Sequence, residues 1–82
     1  MNLSVHIQKE GITLNISVPD NAEIGDIKRA VAAQKKGIDH TQVRFLINGK
    51  FVTNNERASD LGIKDGDRLQ ALISTVVYFI IS

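Results

Sequence analysis

Met1-Asn2-Leu3-Ser4-Val5-His6-Ile7 and Ile12-Thr13-Leu14-Asn15-Ile16-Ser17-Val18 are the two stretches whose reading decides the architecture. In each, apolar residues fall at every second position, the period of a strand whose side chains point alternately to its two faces. Met1, Leu3, Val5 and Ile7 make one apolar face, and Ile12, Leu14, Ile16 and Val18 make another. The polar break Lys9-Glu10-Gly11 between them joins the strands as a hairpin.

Working outward, Pro19 ends the second strand because it has no N–H to give to a ladder. Asp20 with Glu23 three residues later has the spacing of a capping box at a helix start. Ile24, Ile27 and Val31 then follow at helical spacing with Ala30 beside them, while Asp26, Lys28, Arg29 and Lys35 take the other face. Gly25 weakens the first turn by about 1 kcal/mol relative to Ala. Lys35-Lys36-Gly37 brings positive charge to the last turn and then a residue tolerant of left-handed backbone, so the helix stops there. Further on, Val43, Phe45 and Ile47 alternate with Arg44 and Leu46, and Asn48-Gly49 is a tight-turn signal leading into a short strand, Lys50-Phe51-Val52. Thr53 to Arg57 reads as a loop and Ser59-Asp60-Leu61 as a short capped turn. Lys64-Asp65-Gly66-Asp67 is another turn before a last strand, Arg68 to Ile73, in which Leu69, Ala71 and Ile73 share one face. Hairpin, helix and further strands give an α+β layer: a helix of about three to four turns lying across one face of a small mixed sheet.

A chain of 82 residues supplies one domain with a single modest core. It is 43% hydrophobic and 23% charged with a formal net charge of +1, which excludes disorder by composition and leaves no general electrostatic case for nucleic acid or anionic lipid. Without cysteine there is neither a disulfide framework nor a thiolate metal site, and an intracellular, cytoplasmic protein is the simplest expectation. The alternating N-terminus is not a signal peptide, so the sequons at Asn2 and Asn15 carry no weight.

Enzyme chemistry finds no support. His6 and His40 lie far apart in sequence with no third ligand at metal-site spacing, so no metal is expected. Asp65 and Asp67 flank a turn glycine, where short carboxylates bond the backbone, and no glycine-rich loop opens a helix to hold phosphate, so no cofactor is expected. Lys35 and Lys36, with Lys28 and Arg29, read as a solvated helix face ahead of an RNA or membrane contact.

The strand Ile12-Thr13-Leu14, the helix segment Ile24 to Val31, Gly37-Ile38, the run Arg44-Phe45-Leu46-Ile47-Asn48-Gly49-Lys50 and Ser59-Asp60-Leu61-Gly62-Ile63 together resemble ubiquitin in order and spacing. The likeness spans Met1 to about Ile73 with one-residue adjustments: a shorter first turn, and single insertions before the helix and near its end. It implies a β-grasp fold of four to five strands in the order 2-1-5-3-4, with the first and last strands parallel at the centre. The expected division is a ubiquitin-like domain over 1–74 and an apolar tail over 75–82.

By strand parity, the face that the helix leaves open presents His6, Arg44, Leu46, Gln70 and Leu72, with Lys50 at its rim. Leu46 and Leu72 stand where polar residues belong; they either pack on each other or form the centre of a small recognition patch. The resemblance favours the patch, since the matching positions of strands three and five form the main partner-binding surface of ubiquitin-like proteins. Two departures weaken the expected binding to standard ubiquitin receptors: the first turn is Gln8-Lys9-Glu10 where the family has a third apolar anchor, and Gln70 stands where ubiquitin has a histidine.

Ubiquitin-like modifiers and sulfur carriers use a terminal Gly-Gly, whereas this sequence has no glycine after Gly66 and ends in Val76-Val77-Tyr78-Phe79-Ile80-Ile81-Ser82. The chain as written is therefore expected to act without conjugation, as a noncatalytic domain that binds a protein partner. Its tail is too short to span a bilayer, which takes about 20 apolar residues. Being uncharged and rich in β-branched and aromatic residues, the tail is expected to be buried along its own domain or paired with a second copy in a homodimer. Two alternatives remain open at this point. Ser59 to Leu69 resembles the end of small ubiquitin-like accessory proteins of bacterial type VII secretion, which would make a secretion-system component the partner; or the chain is the cytosolic head of a membrane-anchored protein.

Overall fold

Both alternating stretches become strands in the computed structural model, which describes residues 1–74. β1 (Asn2–Ile7) and β2 (Ile12–Ser17) pair antiparallel with Leu3 across from Ile16 and Val5 across from Leu14. Their turn closes through a 2.9 Å bond from the Gly11 N–H to the Ile7 carbonyl, and Gly11 takes a φ of +66° that a side chain would strain. The pairing runs out before Pro19 with the Val18 N–H on the Met1 carbonyl at 3.0 Å.

The helix α1 (Ile24–Gln34) buries Ile24, Ile27 and Val31 completely. Its capping box is Glu23 with Asp26, whose carboxylate accepts the Glu23 N–H at 3.1 Å. This corrects the pairing of Asp20 with Glu23: the box needs its second member on the third helical residue, and since the helix begins at Ile24 that residue is Asp26. Asp20 lies outside the helix, 3.2 Å from the Met1 amino group. The C-terminal charge is also displaced by one residue. Lys35 is the C-cap, beyond the last turn, and its ammonium pairs with Glu10 at 2.5 Å, tying the helix end to the first hairpin turn.

A short 3-10 turn at His40–Gln42 leads into β3 (Val43–Ile47), then the Asn48-Gly49 turn and β4 (Lys50–Phe51). Asn48 and Gly49 both have positive φ, 53° and 82°, the left-handed pair that a two-residue hairpin turn demands. After a second 3-10 turn at Ser59–Leu61 comes β5 (Arg68–Ile73). The segment between them is anchored on β1: the Gly66 N–H meets the Asn2 carbonyl at 2.7 Å, and Asp65 accepts the Asn2 N–H at 2.5 Å. Asp67 accepts the Lys64 N–H at 2.8 Å, so both carboxylates serve the backbone.

The five strands form one sheet in the order β2-β1-β5-β3-β4, with β1 and β5 parallel in the middle, which is the β-grasp arrangement. α1 covers one face. Leu3, Val5, Ile7, Val43, Phe45, Leu69 and Ala71 point into that layer and none is more than 5% exposed. The apolar face of β2 is less uniform than its alternation suggests, because Ile16 and Val18 are buried, Leu14 is half-buried and Ile12 is exposed. β2 is an edge strand, with a neighbouring strand on one side only. Among the described residues no helix is long and apolar enough to cross a membrane. The expectations for the tail, burial or pairing with a second copy, concern 75–82 and lie outside the described residues.

Candidate functional site

The strand registers line up one residue from each strand in a row across the uncovered face. Thr13 of β2 is beside His6 of β1, His6 beside Gln70 of β5, Gln70 beside Leu46 of β3, and Leu46 beside Phe51 of β4. In the next row Arg44 faces Leu72. Their alternate neighbours on β1, β3 and β5 are the core residues, so the face follows from the two-residue period of the strands.

The row changes character along its length. On the β2 and β1 side it is polar: His6 Nδ1 and Thr13 Oγ1 are 3.2 Å apart, and Ser4 bonds Asn15 side chain to side chain at 3.3 Å. Gln70, in the middle, donates its amide to Gln8 Oε1 in the first turn. A polar tie therefore occupies the place where the resemblance implied an apolar anchor. On the β3 and β4 side the face is apolar, with Leu46 and Leu72 half-buried and Phe51 53% exposed. The Arg44 guanidinium lies over the Phe51 ring, 5.7 Å from its centroid, in a cation–π arrangement that steadies both side chains.

Of the residues singled out in the sequence, His6, Arg44, Leu46, Gln70 and Leu72 share this face. Leu46 and Leu72 are diagonal neighbours, each opposite a polar residue, Gln70 and Arg44 respectively. Lys50 is placed differently. It pairs with Ile47, a residue of core parity, so it stands across the strand from the face and Phe51 takes the position beside Leu46. Sequence reasoning missed Phe51 because a two-residue strand shows no alternation. The signal was nonetheless present: a two-residue turn pairs its flanking residues, Ile47 with Lys50, and hence Leu46 with Phe51.

Two shallow depressions flank the start of β5. One, of about 270 Å³, is bordered by Leu46, Asn48, Leu61, Ile63 and Arg68; the other, of about 230 Å³, by His6, Leu69, Gln70 and again Arg68. On the helix side, Lys28 donates to Asn54 Oδ1 at 2.6 Å. Partial burial, and secondarily the positive charge of Arg44, hold its ammonium below the usual lysine pKa. Among the described residues no group of His, Cys, Asp and Glu is arranged to hold a metal ion. The arrangement offers apolar contact, charge and hydrogen bonding, and assembles no nucleophile with a base.

No curated protein matches the chain in sequence. Among solved structures it is similar to the UBL domain of Plasmodium falciparum Dsk2, with a TM-score of 0.77 at 20% identity over 90% of this chain and 97% of that one. It is also similar to ATBAG1, solved in complex with HSP70, with a TM-score of 0.81 at 14% identity; that likeness covers 93% of this chain and 41% of the other. At such identities these two structures speak for the fold alone, and the fold they share is the five-stranded sheet and single helix described above. The sequence itself goes further: residues 2–76, from the first strand through the last, match the family described as "Ubiquitin family", and the chain belongs to it.

Proposed function

We propose that this chain is a noncatalytic recognition domain that binds a protein partner through the open face of its sheet. The observation that carries the reading is the placement of Leu46, Phe51 and Leu72 on the one sheet face that the helix leaves uncovered, while the other strands of that face contribute polar residues. An apolar centre with arginines and amides around it has the composition of a protein-binding patch, and its small size suits a weak or transient contact. Such binding uses the folded face and calls on no terminal carboxylate.

Affinity purification with the wild-type chain and with Leu46→Asp tests the reading. A partner retained by the wild type should be lost with the variant while the two proteins melt at similar temperatures. Equal retention by a folded Leu46→Asp would remove the open face from the account.

A further inference from the structure

Asn48 is the one non-glycine residue with left-handed backbone among the described residues, at a φ of 53°. Gly49 follows it at a φ of 82°, and the two make the whole turn between β3 and β4. Both are exposed, and a Cβ built on Gly49 would meet nothing within 4 Å, so the tip stands clear of the rest of the molecule. Among the described residues neither the Asn48 side-chain amide nor the Gly49 N–H takes part in a hydrogen bond.

The hairpin under this tip is weakly held. β4 has two residues, paired as Leu46 with Phe51 and Ile47 with Lys50, and the next bond along, from the Val52 N–H to the Phe45 carbonyl, is long at 3.4 Å. Lys50 and Phe51 are exposed whereas Val52 is buried, so the segment is anchored beyond β4 and able to part near the turn. Few buried contacts and solvent-exposed backbone bonds mark a segment that opens at low cost while the domain stays folded.

An asparagine before glycine in such a segment reacts with its own backbone. When the tip opens, rotation at Asn48 brings the Gly49 nitrogen against the side-chain Cγ, and Gly49 has no side chain to hinder the approach. The nitrogen gives up its proton and bonds to Cγ; the Cγ–Nδ2 bond breaks and ammonia leaves, closing a five-membered succinimide. Water then opens the ring. Addition at Cγ gives aspartate, while addition at the former backbone carbonyl gives isoaspartate, in which the chain runs through the side chain and the original carboxyl hangs free. Water is the only other reactant.

We propose that Asn48 is a self-modifying site of the folded chain, converting through a succinimide to aspartate and isoaspartate, and that the isoaspartyl form moves Phe51 from its place beside Leu46. Asn2, Asn15, Asn21, Asn54 and Asn55 precede Leu, Ile, Ala, Asn and Glu, whose side chains obstruct the same attack. Aspartate keeps the hairpin, because Asp-Gly fits the same two-residue turn. Isoaspartate adds a methylene to the backbone of a turn whose length fixes the register, and the pairs Ile47 with Lys50 and Leu46 with Phe51 depend on that length. Either product also puts a carboxylate at the rim of the depression that Asn48 shares with Leu46, Asp67 and Arg68.

The test is incubation of the full chain at mildly alkaline pH, folded in buffer and unfolded in guanidinium chloride, followed by mass spectrometry of its peptides. The folded wild type should gain one mass unit, the exchange of NH2 for OH, in the peptide that holds Asn48 and not in those that hold the other asparagines. It should accept a labelled methyl group from S-adenosylmethionine through an isoaspartate-specific carboxyl methyltransferase. In the isoaspartyl fraction, separated by chromatography, the Hα–Hα NOE between Leu46 and Phe51 should be lost. Asn48→Asp should keep that NOE, and Asn48→Gly, which retains a two-residue turn, should keep it and gain no mass there. A folded chain that stays unmodified while the unfolded chain converts would overturn the proposal, because the turn would then protect Asn48. Conversion spread evenly over the asparagines, or an isoaspartyl form that retains the NOE, would overturn it as well.

Discussion

The two faces of this sheet are built from alternate residues of the same strands, yet they behave as different materials. On the helix side, Val5, Ile7, Val43, Phe45 and Ala71 have at most 1% of their surface exposed. One position along, His6, Arg44, Leu46, Gln70 and Leu72 stay half-buried or exposed. Backbone and hydrogen bonding are common to both, so the difference comes from what lies above each face. The covered face gains from removing apolar surface from water. The open face keeps its apolar side chains at a small cost, and that retained surface is what a partner can use.

The sharpest way to break this comparison is to truncate the covered side. Ile27→Ala should cost about 2–5 kcal/mol in denaturant unfolding, because the helix side chain is fully buried and leaves a cavity. For a domain of this size total stability is roughly 4–12 kcal/mol, so the variant sits near the edge of folding. Leu14→Ala, on the half-buried part of β2, should cost about 1–2 kcal/mol. Equal losses at the two sites would show that the helix shields the edge strand as fully as the centre.

Leu46→Asp tests the other face and should change stability by no more than about 1 kcal/mol. A variant that unfolds would mean that Leu46 belongs to the core. On the helix that makes the difference between the faces, Gly25→Ala should stabilise by about 0.5–1 kcal/mol. A Cβ built there meets Asn54 at 3.5 Å, ordinary contact, so the gain in helix propensity is not offset by a clash. A loss on thermal unfolding would show that the loop at Asn54 packs too tightly on the first turn to admit a methyl group.

The smallest effect lies at the periphery, in the 3-10 turn ahead of β3. The Thr41 hydroxyl, donating to Asp39 at 2.7 Å, is the main cause holding that carboxyl below its ordinary value of 3.8, with His40 contributing less. A depressed carboxylate pKa contributes stability that is present above the unfolded value of about 3.8 and is lost as pH falls through the lower, folded value. Thr41→Val should therefore raise the Asp39 pKa toward the ordinary value in an NMR titration of the carboxyl carbon. The resonances of Phe45 and Leu46 should not move with it, and if they do, the titration reaches the sheet.

Much of the fold was legible because it rests on local periodicity. Alternation at Leu3, Val5 and Ile7, helical spacing at Ile24, Ile27 and Val31, and positive-φ turns at Gly11 and Asn48-Gly49 each follow from the geometry of one element. The same parity placed His6, Arg44, Leu46, Gln70 and Leu72 on a shared face. Caps and edges were less legible. Asp20 has the right spacing from Glu23 for a capping box, but which residue is the N-cap depends on where the loop 53–56 crosses the helix start, with the Ile24 and Gly25 N–H groups on the Glu56 and Asn54 carbonyls.

By itself, then, the sequence determined which residues are strand, helix and turn, and which side chains of a strand must share a face, because these depend on neighbours a few positions away. Only the tertiary structure decided that Ile12 is left exposed while Ile16 of the same strand is buried, that Lys35 reaches Glu10 in the first hairpin turn, and that Gln70 is tied to Gln8. Each of these depends on which residues of elements distant in the chain come to lie next to one another, and such relations exist only once helix and sheet have packed.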